Sequence, residues 1–299
     1  MNEVKILDGA MGSELIRRGL ELPHHIWSAE ANISQPELVL QIHKDYINAG
    51  ADYITANTFR TTPRAYKKIG KRERQKEEEA KVSLIAAMKI AKNAADNNTP
   101  VIGSIAPLED CYIPERFPGD KIAKEEIFQL GNWLAHSGAD ILLLETMNSI
   151  AETKAGLSAL KALKKPIWVS FVLKDGSHLL SGEPLVEAIN QLKSYAVEAL
   201  LLNCNPLDRT EIAVDIIVEK WSGKWGVYPN IGVGEPSPDG DIAERVSINA
   251  FVNVIKKAIE YGARIIGGCC GSTPRHISKL KSLVHKAGKN SGKSITHGY

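Results

Sequence analysis

The chain contains only four cysteines, and two of them are adjacent. Cys204 stands in Asn203-Cys204-Asn205, and the pair stands in Gly267-Gly268-Cys269-Cys270-Gly271. Clustered thiols of this kind, in a reducing compartment, point to a metal or to catalysis rather than to a disulfide framework. Three thiolates suit zinc, at Zn–S distances of about 2.3 Å, and three protein ligands leave a fourth position open, the pattern of a catalytic site. Three cysteinates around Zn²⁺ carry one net negative charge, which disfavours hydrolysis by Lewis acidity. They favour a substrate thiol that takes the open position, loses its proton and stays nucleophilic, so that S-alkylation follows. Taken alone, Cys204 reads as a small buried hydrophobe, and the adjacent pair as a strained disulfide. Placement of both after strand ends, with glycines beside the pair, favours the metal. Cys111 has no such support and reads as incidental.

Two carboxylates belong with this set. Asp8 and Glu145 close apolar stretches, and either a structural ion pair or a capping role would suit them. The functional alternative is recognition of a substrate ammonium by charge-assisted hydrogen bonds. The backbone amides around Gly9-Ala10-Met11-Gly12 could hold the accompanying carboxylate, and Asn57, after the second apolar stretch, joins the substrate-binding set. An amino-acid thiol would satisfy both the carboxylates and the zinc.

The elements that must position these residues alternate regularly. Short β-branched stretches occur at Val4–Leu7, Asp52–Thr55, Val101–Ile105, Asp140–Leu144, Ile167–Phe171, Ala199–Leu202, Trp225–Tyr228 and Arg264–Ile266. Helical periodicity fills the intervals near 34–49, 74–95, 122–137, 149–164, 184–195, 209–221, 247–261 and 274–286. Ser34 and Asn148 are candidate N-caps, and Pro274 fits the first turn of the last helix. The endings Ala49-Gly50-Ala51-Asp52, Ser137-Gly138-Ala139-Asp140 and Tyr261-Gly262-Ala263-Arg264 read as C-cap glycines feeding the next strand. Eight βα units in this length predict a single (β/α)₈ barrel over residues 1–287, with a flexible tail over 288–299. A doubly wound sheet is the alternative, but no Gly-rich dinucleotide loop follows the first strand. In a barrel the segments 8–33, 106–121 and 229–246 are long loops at the face where such enzymes keep their sites. Strands six and eight are then separated by one strand, so Cys204 can reach Cys269 and Cys270.

Composition excludes several classes of partner. A hydrophobic fraction of 43% and a charged fraction of 24% are those of a globular protein. Thirty-seven basic residues are interspersed with thirty-five acidic ones, for a net charge of +2, which implies neither a nucleic-acid nor a membrane partner. The polar N-terminus is no signal peptide and no apolar run approaches the roughly 18 residues of a membrane span, so a cytoplasmic protein is expected. The mixed-sign run Lys71–Glu79 reads as a solvated helix start.

The motifs Leu7-Asp8-Gly9-Ala10-Met11-Gly12, Asn57-Thr58-Phe59, Leu143-Leu144-Glu145-Thr146, Asn203-Cys204, Tyr228-Pro229-Asn230 and Gly267-Gly268-Cys269-Cys270-Gly271-Ser272-Thr273-Pro274 together resemble the homocysteine S-methyltransferase family. The resemblance runs over roughly residues 4 to 285, and the last motif is its most specific part. It implies a (β/α)₈ barrel, zinc on Cys204, Cys269 and Cys270, homocysteine held by Asp8 and Glu145, and methionine as product. Family members divide by methyl donor. Trp27-Ser28-Ala29 is similar to a motif of the type that uses S-methylmethionine, and a Trp face attracts a sulfonium by about 0.5–2 kcal/mol. Where betaine-using relatives carry tyrosines, this chain has Arg60 and Thr146. An Arg can pair with a donor's carboxylate, which favours a directly bound S-methylmethionine or S-adenosylmethionine. A barrel methylated by a separate methylcorrinoid protein is one alternative, and a non-catalytic zinc- or thiol-binding barrel is another. A phosphate-binding barrel enzyme could use Gly267-Gly268 before a helix, but no Schiff-base lysine stands at a strand end.

Overall fold

The computed structural model describes residues 3–70, 73–234, 242 and 244–291. The strands are β1 (Lys5–Ile6), β2 (Ile54–Thr55), β3 (Val101–Ile105), β4 (Ile141–Met147), β5 (Ile167–Phe171), β6 (Val197–Asn203), β7 (Lys224–Tyr228) and β8 (Ile265–Ile266). All pair in parallel, in the order β1-β8-β7-β6-β5-β4-β3-β2. The two end members of that order also touch. Leu7 bridges Tyr53 in parallel, and the N–H groups of Asp52 and Tyr53 donate to the Ile6 carbonyl. The result is a curled parallel eight-stranded sheet surrounded by helices.

Period-two alternation explains why these strands are apolar throughout. Along β4, Leu142 and Leu144 belong to the large core between sheet and helices, while Ile141 and Leu143 belong to a second, inner core. That inner core also takes Leu7, Ile102, Trp168, Ala199, Leu201 and Ile265. Both faces are covered, so both faces are greasy. At its upper end the inner core meets Tyr228 and Cys269.

The outer helices are α3 (Pro36–Ala49), α5 (Glu73–Ala95), α6 (Asp120–His136), α7 (Ile150–Leu160), α8 (Leu185–Leu192), α9 (Leu207–Lys220), α10 (Ile248–Glu260) and α11 (Pro274–Ser291), close to the expected set. The segment expected as one long loop at 8–33 instead holds α1 (Met11–Arg17), a 3₁₀ turn at Trp27–Glu30 and most of α2 (Ala31–Ser34), and α4 (Pro63–Lys67) follows β2. None is long enough to display a helical period. Helix α11 runs on to Ser291, past the expected start of the tail at 288. The rest of that tail, 292–299, lies outside the described residues, as does part of the long segment at 229–246. No helix among the described residues is long and apolar enough to cross a membrane.

Two expected caps are replaced. Ser34 donates back to the Glu30 carbonyl, and α3 starts after Gln35 without a side-chain cap. At α7 it is Ser149 that accepts from the Glu152 N–H, while Asn148 donates to the Cys111 carbonyl. The repeated Gly-Ala-Asp endings do more than cap. Gly50 and Gly138 take left-handed φ of 107° and 91°. The following Asp52 and Asp140 accept from the backbone N–H of Ile6 and Val101, stitching adjacent strands at the bottom of the sheet.

Candidate active site

One cavity opens at the C-terminal ends of the strands, lined from seven chain segments, and eight of the nine residues named above as site candidates line it. Those eight are Asp8, Gly9, Trp27, Asn57, Glu145, Cys204, Cys269 and Cys270. Arg60 does not.

The thiols converge as the strand count requires. Cys204 follows β6, and Cys269 and Cys270 follow β8. Their sulfurs lie 2.6 Å (204–269), 3.9 Å (204–270) and 4.0 Å (269–270) apart, and all are free thiols. A tetrahedral zinc site with Zn–S of about 2.3 Å has an S–S edge of about 3.8 Å. Two of the three separations match that edge, and the third is longer than the roughly 2.05 Å of a disulfide. Two thiolates about 4 Å apart repel by about 4 kcal/mol at an effective dielectric of 20. All three ionise together only around a cation, so this donor set fits a soft divalent ion. The backbone holds them from the seventh strand's loop. The Cys269 N–H donates to Pro229 O (2.8 Å), Ile231 N–H to Cys270 O (2.9 Å), and the Asn230 amide to Cys204 O (3.0 Å).

Strain concentrates at the same place. Among the described residues six non-glycine residues have positive φ, and three of them, Trp27 (49°), Thr146 (59°) and Cys204 (54°), line the cavity. Left-handed backbone at such residues persists only where the surroundings enforce it. Asn203 supplies part of that enforcement. Fully buried, it takes a hydrogen bond from the Ser170 hydroxyl, donates to Thr146 Oγ1 (2.8 Å) and reaches Cys269 Sγ at 4.0 Å.

The two carboxylates line the cavity from different strands, Asp8 just after β1 and Glu145 on β4. Asp8 accepts from the Thr55 N–H at 2.8 Å. Burial pushes its pKa up to about 8, the Thr55 bonds oppose this, and Glu145 adds to it. Glu145 lies within β4 rather than at its end, because the strand bulges between Leu144 and Met147 and continues. The Ser104 hydroxyl donates to one of its oxygens and Tyr228 OH to the other at 3.1 Å. Burial, then the nearby Cys269, raises its pKa to about 7. Burial likewise holds the Tyr228 phenol well above its ordinary range, so it donates. A cation placed between these carboxyls offsets the desolvation that burial imposes.

The remaining candidates divide. The Asn57 side chain is spent on protein: Oδ1 accepts from Ser28 Oγ (2.6 Å), and Nδ2 donates to Ser28 O (2.7 Å) and Asn32 Oδ1 (2.9 Å). It fastens the segment that carries Trp27. Trp27 packs over Gly12, where a Cβ would come within 2.4 Å of Nε1. Replacing Asn57 with Ala orphans these buried partners and should lower stability by about 2–3 kcal/mol, read as a fall in thermal midpoint, with a shift in Trp fluorescence as the segment loosens. Around Gly9–Gly12, the Ala10 N–H is already taken by Ser272 Oγ (3.0 Å); the first-turn amides of α1 begin at Met11. Arg60 stacks on Phe59 and donates to the Glu109 carbonyl (2.7 Å), and Nη2 lies 3.8 Å from Cys111 Sγ. Cys111 stands outside the three-thiol cluster, and burial raises its pKa to about 11. Sequence reasoning alone gives no separate role to Ser104, Asn203, Tyr228 or Ser28; Tyr228, Asn203 and Ser28 sit in the quoted motifs, which is the available signal.

The family model described as homocysteine S-methyltransferase matches residues 5–284. A homocysteine S-methyltransferase of Escherichia coli (strain K12) is 31% identical over 295 residues, covering 94% of this chain and 95% of that protein. The Bacillus subtilis homocysteine S-methyltransferase YbgG is 28% identical over 291 residues, covering 92% of each. Among solved structures, the metallated form of the homocysteine methyltransferase MmuM from Escherichia coli superposes with a TM-score of 0.80 at 29% identity, covering 94% of this chain and 96% of that one.

Proposed function

The chain belongs to the homocysteine S-methyltransferase family, and from that premise we propose that it methylates homocysteine to methionine at a zinc centre formed by Cys204, Cys269 and Cys270. The observation that carries the reading is the convergence of these three thiols with two buried carboxylates on one cavity. Zinc, when bound there, supplies an open position that keeps the acceptor sulfur deprotonated and nucleophilic. The protein's own groups do the rest. Asp8 and Glu145 take the acceptor's ammonium; Thr55 N–H, Ser104 and Tyr228 hold those carboxylates in place. The acceptor's carboxylate is assigned to the first-turn amides of α1, whose Met11, Gly12 and Ser13 line the cavity. With the acceptor fixed, its sulfur lone pair forms the new S–C bond as the donor's bond to the methyl carbon breaks, and the thiol proton leaves to solvent. Positioning of this kind is a large part of catalysis in a bimolecular transfer.

The donor in this reading is a small sulfonium, S-methylmethionine or S-adenosylmethionine, presented against Trp27, which lines the cavity. Arg60, engaged with Glu109 and Phe59, is not assigned to the donor. We further read the curled sheet as a closed (β/α)₈ barrel in one domain through residue 287. The Leu7–Tyr53 bridge and the Asp52 and Ile6 hydrogen bonds support closure. Four free thiols fit a reducing, cytoplasmic setting.

A donor panel tests the proposal. Purified zinc-loaded protein is given homocysteine with S-methylmethionine, S-adenosylmethionine, betaine or a methylcorrinoid, and methionine is quantified. Turnover is expected with a sulfonium donor, and Trp27→Ala should raise that donor's KM about five- to thirtyfold while leaving homocysteine's nearly unchanged. Turnover with the methylcorrinoid alone overturns the donor assignment; binding without methionine overturns the enzyme.

A further inference from the structure

Helix α5 crosses the outside of the fold, and its 23 residues span about 35 Å. Its solvent face carries Glu78, Val82, Ile85 and Lys89, which fall within about 60° of one another at 100° per residue. Val82 is 47% exposed and Ile85 44%. Ile33 and Ile69, also exposed, flank Val82 in a groove beside α2 and α4, and Trp133 lies beside Ile85 on the α6 side. Single exposed apolar residues are ordinary, but a contiguous set along one ridge marks a contact surface.

The charges on that ridge are arranged in an unusual way. Most other charged residues of α5 are satisfied within the chain: Glu77 takes a hydrogen bond from Gln129, Glu79 pairs with Lys76, Lys81 lies over Trp133, and Lys92 pairs with Asp140, while exposed Arg74 stands one turn before Glu78 at the outer edge of the ridge. Glu78 and Lys89, which point outward, have no ion pair or hydrogen bond among the described residues. They stand one turn to either side of the apolar pair, with opposite signs.

We propose that α5 is the contact of a two-fold homodimer in which the helices pack antiparallel. A two-fold axis crossing the helix between Ser83 and Leu84 sets Val82 against the partner's Ile85 and Glu78 against the partner's Lys89. Both contacts occur twice, as an isologous interface requires. A parallel pairing would set Glu78 against Glu78 and Lys89 against Lys89, so the charge order itself selects the antiparallel arrangement. The run of mixed charge at the start of α5, which reads as a solvated face from sequence, is then the edge of an interface. The active-site cavity, at the C-terminal ends of the strands, contains none of these residues.

Light scattering coupled to size exclusion, over a dilution series of the full chain, tests this. The wild type is expected to be a dimer that dissociates on dilution and more readily in high salt. Glu78→Lys or Lys89→Glu alone should raise the dimer dissociation constant about tenfold or more, since each creates two like-charge contacts per dimer. The double swap E78K/K89E should restore it to near the wild-type value, and Ile85→Asp should give monomer. All four residues are exposed, so circular dichroism and methyl transfer should be unchanged. A monomer at every concentration overturns the proposal. So does a dimer that ignores both single reversals, or one that the double swap fails to rescue.

Discussion

Replacing Cys269 or Cys270 with alanine is expected to remove zinc and methionine formation together. Sharing roughly 12 kcal/mol of zinc binding among three or four ligands gives on the order of 3–4 kcal/mol each, about a thousandfold in affinity. The alanine variant also leaves an unfilled position beside the 3.9–4.0 Å sulfur separations that define the site. Elemental analysis of the purified protein should show zinc falling from about one per chain to a trace, with turnover falling by at least about a thousandfold. Cys111→Ala is the internal control. That thiol is buried against Arg60 and outside the cluster, so zinc content and turnover should be kept. Activity that survives loss of the metal would sink the zinc assignment.

Asp8→Asn is the second large effect, and it should act in opposite directions on binding and on stability. The amide oxygen of Asn can still accept from the Thr55 N–H, so the local geometry is kept and the charge is lost. Losing one buried charge-assisted contact to an ammonium costs about 2–4 kcal/mol, or roughly thirty- to thousandfold in the KM for homocysteine. In the wild type, acceptor binding should strengthen as pH rises through about 7 to about 8, where Glu145 and then Asp8 ionise. The asparagine variant should lose the upper part of that rise. The stability effect has the reverse sign. A carboxyl whose folded pKa is raised from 3.8 to about 8 keeps its proton when folded and releases it when unfolded. It therefore costs stability progressively as pH climbs from about 4 to about 8. Asp8→Asn removes that cost, and at pH 8 the ligand-free variant should melt higher, on the order of 2 kcal/mol or about 4 °C. A variant that binds homocysteine as well as wild type, or melts no higher at alkaline pH, contradicts the role given to Asp8.

Much of the site was readable before any coordinates because its chemistry is local to strand ends. Cys204, Cys269 and Cys270 stand out as rare residue types, and the alternation of apolar stretches with helical periods counts off the strands that bring them together. The residues that escaped are those whose role depends on what they touch. Asn57 sits in a recognisable motif, yet its amide proves to be spent on Ser28 and Asn32. Arg60 follows it in the chain and still turns away from the cavity to the Glu109 carbonyl. Ser104 carries no sequence signal at all; it matters because β3 lies next to β4, where Glu145 projects.

The division follows from the ranges of the forces involved. Period-two and period-3.6 burial is written residue by residue, so the sequence by itself determined the eight βα units and the three-thiol donor set. A hydrogen bond needs its partner within about 3 Å, and partners here are supplied by segments far apart in the chain. Only the tertiary structure could decide that Tyr228 and Ser104 grip Glu145, that Asn203 braces the strained Thr146, and that Glu78 and Lys89 face outward without partners among the described residues.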